Sequence, residues 1–277
     1  MPISMTRNES RSMLTIQGVD VIIEGEGSDA LVMIHGWPDT HRLWDSSVQA
    51  LKPYFRCVRF TLPGFDLEKP PRATSLAQMT ALLTDIVDAV SPARPVHLLL
   101  HDWGCVFGYE FTAARPERVA RIVSVDIGDY NSAAYRRSLS VKAKVLVFAY
   151  QFWLAVAWIV GGATADAMTR WMARKARCPA AASAIGWQMN YPYAMIWFGV
   201  MGGFRGAAPV TPACPILFIY GKRKPFMFHS ADWLASLGTR PGCAVQPCST
   251  GHWVMAQEPN AFNQCAIEWL VSRPSAS

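Results

Sequence analysis

Hydrophobic positions first alternate with polar ones and then close up into continuous runs. Leu14, Ile16, Val19, Val21 and Ile23 fall on alternate positions around Gln17-Gly18, which predicts a hairpin with one face toward a core. The runs Ala30–Ile34, Cys57–Leu62, Val96–Leu100 and Ile122–Val125 read as apolar on both faces, as expected of strands in a covered parallel sheet. Between the second and third of them, Leu76, Met79, Leu83, Ile86, Val87 and Val90 form one stripe of a helix over 76–90. Ser75 and Gln78 stand at capping-box spacing at its start, and Ser91-Pro92 ends it. After residue 210 the same alternation resumes, with a strand at Ile216–Tyr220, a helix near 231–237, a strand at Ala244–Gln246 and a last helix near 260–271. The pattern is that of an α/β fold with a doubly wound, mostly parallel sheet.

Residues 128–205 differ in kind. They are rich in Trp, Met, Tyr and Ala with helical patterning, which predicts a helical cap inserted into a core formed by 1–127 and 206–277. Within this block, Val145–Ala165 carries no charge and is long enough to span a bilayer. A single span would put residues before 145 and after 165 on opposite sides of the membrane. The candidate reactive groups described below lie on both sides of that stretch, so it is expected to line the site or to lie along a membrane surface.

Composition and charge narrow the picture. Of the chain's 277 residues, 51% are hydrophobic and 17% charged, enough for a large core and too little charge for a disordered chain. The net charge is +6, and the block 128–205 alone holds nine basic residues against Asp129 and Asp166. No recognised nucleic-acid module accompanies this excess, so nucleic acid is not an expected partner. Peripheral contact with anionic lipid stays open. The seven cysteines show no paired spacing, which argues against a disulfide framework or a zinc site. Arg7, Glu9 and Arg11 with no apolar run around them argue against a secretory signal, so a cytoplasmic location is expected.

Three stretches carry chemistry. Leu98-Leu99-Leu100-His101-Asp102-Trp103-Gly104-Cys105 runs from an apolar strand through a tight turn into a helix, the arrangement that exposes a nucleophile above a sheet. Asp102 holds the central position, though an aspartate there could equally cap the helix. His35-Gly36-Trp37-Pro38 follows a strand, where the Trp37 N–H would partner that of Trp103 in an oxyanion hole, or else form a plain turn. Ser249-Thr250-Gly251-His252-Trp253 follows the last strand and offers His252 as a general base.

Together the His-Asp-Trp-Gly, His-Gly-Trp-Pro and Gly-His-Trp motifs resemble the α/β-hydrolase superfamily, and within it the aspartate-nucleophile branch of epoxide hydrolases and haloalkane dehalogenases. The resemblance covers about 12–127 and 213–272. Many relatives carry the triad acid after the strand Ile216–Tyr220, but here the loop reads Gly221-Lys222-Arg223-Lys224-Pro225. Asp126, ending Val123-Ser124-Val125-Asp126, resembles relatives with the acid at that position; Asp129 is the fallback, and Asp232 ranks below both.

The resemblance implies a cofactor-independent hydrolase. Asp102 would form an alkyl ester with a hydrophobic small molecule, His252-activated water would cleave it, and Asp126 would orient the imidazole. An epoxide would need a proton donor, usually cap tyrosines in the family, with Tyr191 preferred and Tyr193 and Tyr150 as alternatives. A halide would need N–H donors such as the Trp103 indole. Dehalogenases often carry Asn or Glu where Trp37 stands, which weakens the halide reading, while the His-Asp-Trp-Gly-Cys stretch and the acid at Asp126 point back toward it; the epoxide is the preferred reading and the halide the alternative. Ester cleavage, and a non-catalytic protein bound to anionic membranes through its cap, are the other readings.

Overall fold

The computed structural model describes residues 11–272. The expectation about a secretory segment concerns positions that mostly lie outside them. The chain runs β1 (Arg11–Ile16), β2 (Val19–Glu24), β3 (Ala30–Ile34), α1 (Asp45–Leu51), β4 (Arg56–Phe60), α2 (Leu76–Val90), β5 (Val96–His101), α3 (Trp103–Ala114) and β6 (Val119–Val125). It continues through α4 (Ala133–Ser138), α5 (Val141–Val160), α6 (Gly162–Lys175), α7 (Tyr191–Phe198), β7 (Ile216–Gly221), α8 (Ala231–Thr239), β8 (Ala244–Cys248), α9 (Val254–Gln257) and α10 (Pro259–Val271).

The strands form one eight-stranded sheet in the order β1-β2-β4-β3-β5-β6-β7-β8. The first two join it antiparallel, and every pairing from β4 to β8 is parallel. Successive strand side chains point to opposite faces, so the apolar runs feed two cores. Val32, Ile34, Leu98 and Leu100 pack on one side with α2 and α3, while Leu31, Met33, Leu99 and Val123 pack on the other with α1 and α10. Arg59 interrupts the run of β4 yet is buried, because Glu24 and Asp45 both pair with its guanidinium. The Ser75–Gln78 capping box forms at the start of α2 as its spacing predicts.

The connection between β6 and β7 holds α4 to α7. Here the uncharged run differs from expectation. It is not one helix: α5 ends at Val160, and Gly161 and Gly162, the residue before α6 and its first residue, both take positive φ. A left-handed pair of residues breaks the α-helical hydrogen-bond ladder, and glycine adopts that conformation without steric cost. The chain therefore turns back on itself, with α5 packed against α6 and α7.

Candidate active site

Asp102, Asp126, His252 and Trp37 each sit just past the C-terminal end of a parallel strand. Asp102 follows β5 and holds φ 53° and ψ −122°, a conformation unfavourable for a residue with a side chain. The bend is tolerated because its surroundings are tight. A Cβ at Gly36 would overlap the Asp102 carboxylate and lie 2.5 Å from the Trp103 nitrogen, and a Cβ at Gly104 would overlap the Ile34 carbonyl. These two glycines let the loop after β3 and the first turn of α3 close around the aspartate. Asp102 precedes α3, but its side chain makes no capping hydrogen bond to that helix.

The two carboxylate oxygens of Asp102 have different partners. Oδ1 accepts a hydrogen bond from the Trp37 backbone N–H at 2.6 Å. Oδ2 lies 3.3 Å from His252 Nε2. On its other edge His252 Nδ1 meets Asp126 Oδ2, and Asp126 sits after β6 in a left-handed backbone conformation with φ 74°. Asp126 Oδ1 accepts from the Gly221 N–H at 3.1 Å and pairs with the buried Lys224 ammonium. Asp102, His252 and Asp126 thus form one line of hydrogen-bonding groups. Asp129 is elsewhere: it accepts from the Ser230 N–H at 2.7 Å and from the Ser132 and Ser230 hydroxyls, tying the loop after β6 to the start of α8. Asp232 lies exposed in the first turn of α8.

The electrostatics follow from this line. Burial opposes ionisation of Asp126, but Lys224 and His252 overcome it and hold its pKa at about 2. Burial likewise opposes the charged form of His252, yet the Asp126 and Asp102 carboxylates raise its pKa to about 9. Asp102, also desolvated, is held below the usual carboxylate range by His252. At neutral pH the imidazolium is therefore clamped between two carboxylates.

Neighbouring histidines act as struts. His35 is fully buried, and burial lowers its pKa to about 4. Its Nε2 accepts from the Leu62 N–H and its Nδ1–H donates to the Gly36 carbonyl, fixing the loop that carries Trp37. Burial drops the His101 pKa to about 3, and its Nε2–H donates to the His252 carbonyl at 3.2 Å. Asp39, desolvated to a pKa of about 7, accepts from the Trp253 indole at 2.8 Å and joins the same loop to the residue beside His252.

Two chambers meet at Asp102. One, of about 730 Å³, is lined by Trp37, Tyr150, Tyr193, Phe226, Phe228 and His252 among others. The second, of about 600 Å³, shares Asp102, Tyr150, Tyr193 and Phe228 and adds Trp103, Val106 and Tyr135. Tyr193 packs edge-on against the Trp37, Trp103 and Tyr150 rings. Burial raises the pKa of both Tyr150 and Tyr193, so both keep their protons. Tyr191, the tyrosine preferred from sequence, lines neither chamber: it is buried edge-on against Phe65. Residues two apart on a helix point about 200° apart, so a helix that presents Tyr193 to Asp102 turns Tyr191 away.

Sequence reasoning missed Lys224, Asn190 and Asp39. Asn190 accepts from the Trp37 indole N–H at 2.8 Å and donates to Thr169 at 2.7 Å, linking the inserted helices to the loop after β3. Only Asp39, directly after the His-Gly-Trp-Pro stretch, stood in a position that a motif could have drawn attention to.

Comparison with known proteins bears on the fold. A family model described as the alpha/beta hydrolase fold matches residues 29–176. A Mycobacterium tuberculosis protein named "Probable oxidoreductase EphD" is 36% identical over 129 residues, which is 43% of this chain and 22% of that protein. The pimeloyl-[acyl-carrier protein] methyl ester esterase of Pectobacterium carotovorum is 33% identical over 104 residues, covering 37% of this chain and 38% of the esterase. The matched stretches thus span well under half of these curated relatives. Among solved structures, a variant of an epoxide hydrolase from Bacillus megaterium superposes with a TM-score of 0.68 at 17% identity, covering 94% of this chain and 100% of that one. With more than half of its length matched by the family model and an eight-stranded, mostly parallel sheet behind the site, the chain belongs to the α/β-hydrolase fold family.

Proposed function

We propose that the protein is an epoxide hydrolase for hydrophobic small molecules, in which Asp102 is the nucleophile, His252 the base and Asp126 the triad acid. The reading is carried by the divided carboxylate of Asp102: one oxygen rests on a backbone N–H while the other faces the imidazole and the chambers. A carboxylate so held is oriented to displace a leaving group from an sp³ carbon.

In the first step Oδ2 attacks an epoxide carbon, the C–O bond breaks, and the alkoxide takes a proton from Tyr193 or Tyr150 of the cap formed by α4 to α7. The ester that forms removes the negative charge from Asp102. His252 then has one carboxylate neighbour instead of two, so its pKa falls and it can lose its proton. In the second step the neutral imidazole takes a proton from water, whose oxygen attacks the ester carbonyl. The charge developing on Oδ1 falls on the Trp37 and Trp103 amides, and loss of one such donor typically costs about 2.7–4 kcal/mol. Collapse breaks the bond from the Asp102 carbonyl carbon to the alkoxy oxygen, which takes the hydroxyl proton of the intermediate, so the diol leaves and the carboxylate is restored. His252 keeps the proton it took from water, and the proton it lost before this step returns the tyrosinate to tyrosine.

Two observations favour an epoxide over a halide. Two protonated tyrosines face Asp102, and the Trp37 indole N–H is already bound to Asn190, which leaves the Trp103 indole without a second indole donor beside it to share a halide. Oδ1 of Asp102 also occupies the amide site that an ester carbonyl would need, which weighs against serine-type ester cleavage. The test is mass spectrometry after rapid quench with a styrene-oxide-like and a bromoalkane substrate. An adduct on Asp102 that accumulates in His252→Gln, with diol released and no halide, is the expected result. Halide release would move the assignment to a dehalogenase, and the absence of any adduct across the panel would reject an aspartate nucleophile.

A further inference from the structure

Most of the exposed large hydrophobic side chains among the described residues lie in the inserted block. Val141, Val145, Phe148, Phe152 and Ile159 recur at helical spacing and form one exposed stripe along α5. Four residues of this 20-residue helix are buried, Ala143, Leu154, Ala155 and Ala157. Beside the stripe, α7 adds Trp197 and Phe198. Phe148 stacks on Phe152 at 5.4 Å, Trp197 meets both edge-on, and Phe198 closes on Phe152 at 6.0 Å. Phe148 is nevertheless 49% exposed, Phe198 44% and Trp197 37%. An aromatic cluster formed by two helices and left open to water is costly unless something covers it.

Charge identifies what covers it. Helical geometry places Lys142 and Lys144 on opposite sides of the stripe in the first turn of α5, and both are exposed. Arg174, Lys175 and Arg177 are exposed where α6 ends, back at the same open end of the α5–α6 hairpin as the two lysines; Lys175, which lies over the Trp171 ring, and Arg177 also line the larger chamber. The two acids of this region are engaged elsewhere: Asp129 is buried against Ser230, and Asp166 accepts from the Trp187 N–H. An aromatic and aliphatic face with cations gathered at one end, and with both acids of the inserted block engaged elsewhere, matches the interface of a bilayer rich in anionic lipid.

We propose that this face of α5 and α7 docks the protein on anionic membranes, with α5 lying along the surface. Crossing is excluded by the same helix, because Tyr150 from its middle lines both chambers and stacks on Phe226. Leu146 lines the larger chamber and is itself 38% exposed, and Ile196 of α7 lines the smaller one. Docking therefore brings the walls of both chambers against lipid and gives a bilayer-dissolved substrate a short path to Asp102. The docking itself does not depend on the chemistry assigned to Asp102.

Co-sedimentation of the full chain with vesicles of mixed phosphatidylglycerol and phosphatidylcholine, against phosphatidylcholine alone, tests this. Binding to the mixed vesicles alone, weakening as salt is added, is expected. Phe148→Ser/Phe152→Ser should lower partitioning by at least ~10-fold. Lys142→Glu/Lys144→Glu, which alters only exposed side chains, should do so by at least ~20-fold. Circular dichroism confirms that each variant is folded, and the charge pair keeps the test decisive if the apolar pair is not. No binding, equal binding to both vesicles, or salt-insensitive binding would overturn the proposal. So would a concentration-dependent dimer abolished by Phe148→Ser/Phe152→Ser, which would make a second copy the occupant.

Discussion

The strand ends and the inserted helices build the two halves of the same site by different means. At the strand ends each member of the proposed triad is held by directional bonds: Asp102 by the Trp37 amide, Asp126 by the Gly221 amide and Lys224, His252 by Asp126 and through its carbonyl by His101. In the inserted helices Tyr150 and Tyr193 are placed by ring packing, helped by the relay from Trp37 through Asn190 to Thr169. Hydrogen-bonded geometry fixes where bonds form and break, whereas ring packing shapes a volume that tolerates change. The strand ends should thus set whether the reaction happens, and the helices which molecule undergoes it.

The largest expected effects fall on the strand ends. Asp102→Asn should lower kcat by about 10⁴-fold or more and give no adduct, since its neutral amide cannot displace an epoxide oxygen. Asp126→Asn should cost about 10⁴-fold in kcat, because an asparagine cannot stabilise the imidazolium and can hold the wrong tautomer. On the insertion side, Tyr193→Phe should cost about 10²-fold, with Tyr150→Phe separating the contribution of the second donor. Steady-state kinetics on a small epoxide panel measures all four variants. Substrate preference should shift in the tyrosine variants and stay constant in the strand-end ones. A tyrosine variant as inactive as Asp102→Asn would erase the distinction between the two regions.

Lys224 sharpens the comparison. It shares Asp126 with His252, and its charge opposes the imidazolium. Lys224→Met should therefore raise the pKa of His252 and move the pH at which ester hydrolysis sets in upward. A single-turnover pH profile of the second step measures this, and a downward shift would contradict it.

The smallest effect concerns stability. The His252 pKa rises from 6.5 to about 9 on folding. Its charge then stabilises the fold fully below about 6.5, and that contribution is lost as pH rises through about 9. Thermal unfolding should show the wild type losing more stability than His252→Gln across that interval. Parallel curves would remove the charge clamp from the account.

Most of the fold could be read from the sequence because a parallel sheet covered on both faces writes itself as short apolar runs. Ala30–Ile34 became β3 residue for residue, and the capping box set the start of α2. The positions of Asp102, Asp126 and His252 were legible for the same reason, as each directly follows a strand. What was illegible depends on tertiary placement. Nothing local distinguishes Tyr191 from Tyr193 until the axial rotation of α7 is known. The Lys224 partnership spans 98 residues, and a lysine in a basic loop looks like surface. The break at Gly161-Gly162 was visible as letters, but hydropathy outweighed it.

The most direct test of the central claim is a single turnover of an epoxide in heavy-oxygen water. The account predicts that the heavy atom enters the Asp102 carboxylate, found by peptide mass spectrometry, and that the first diol released carries none. Label in the diol with Asp102 unlabelled would mean that water attacks the substrate itself, and the covalent mechanism would be wrong.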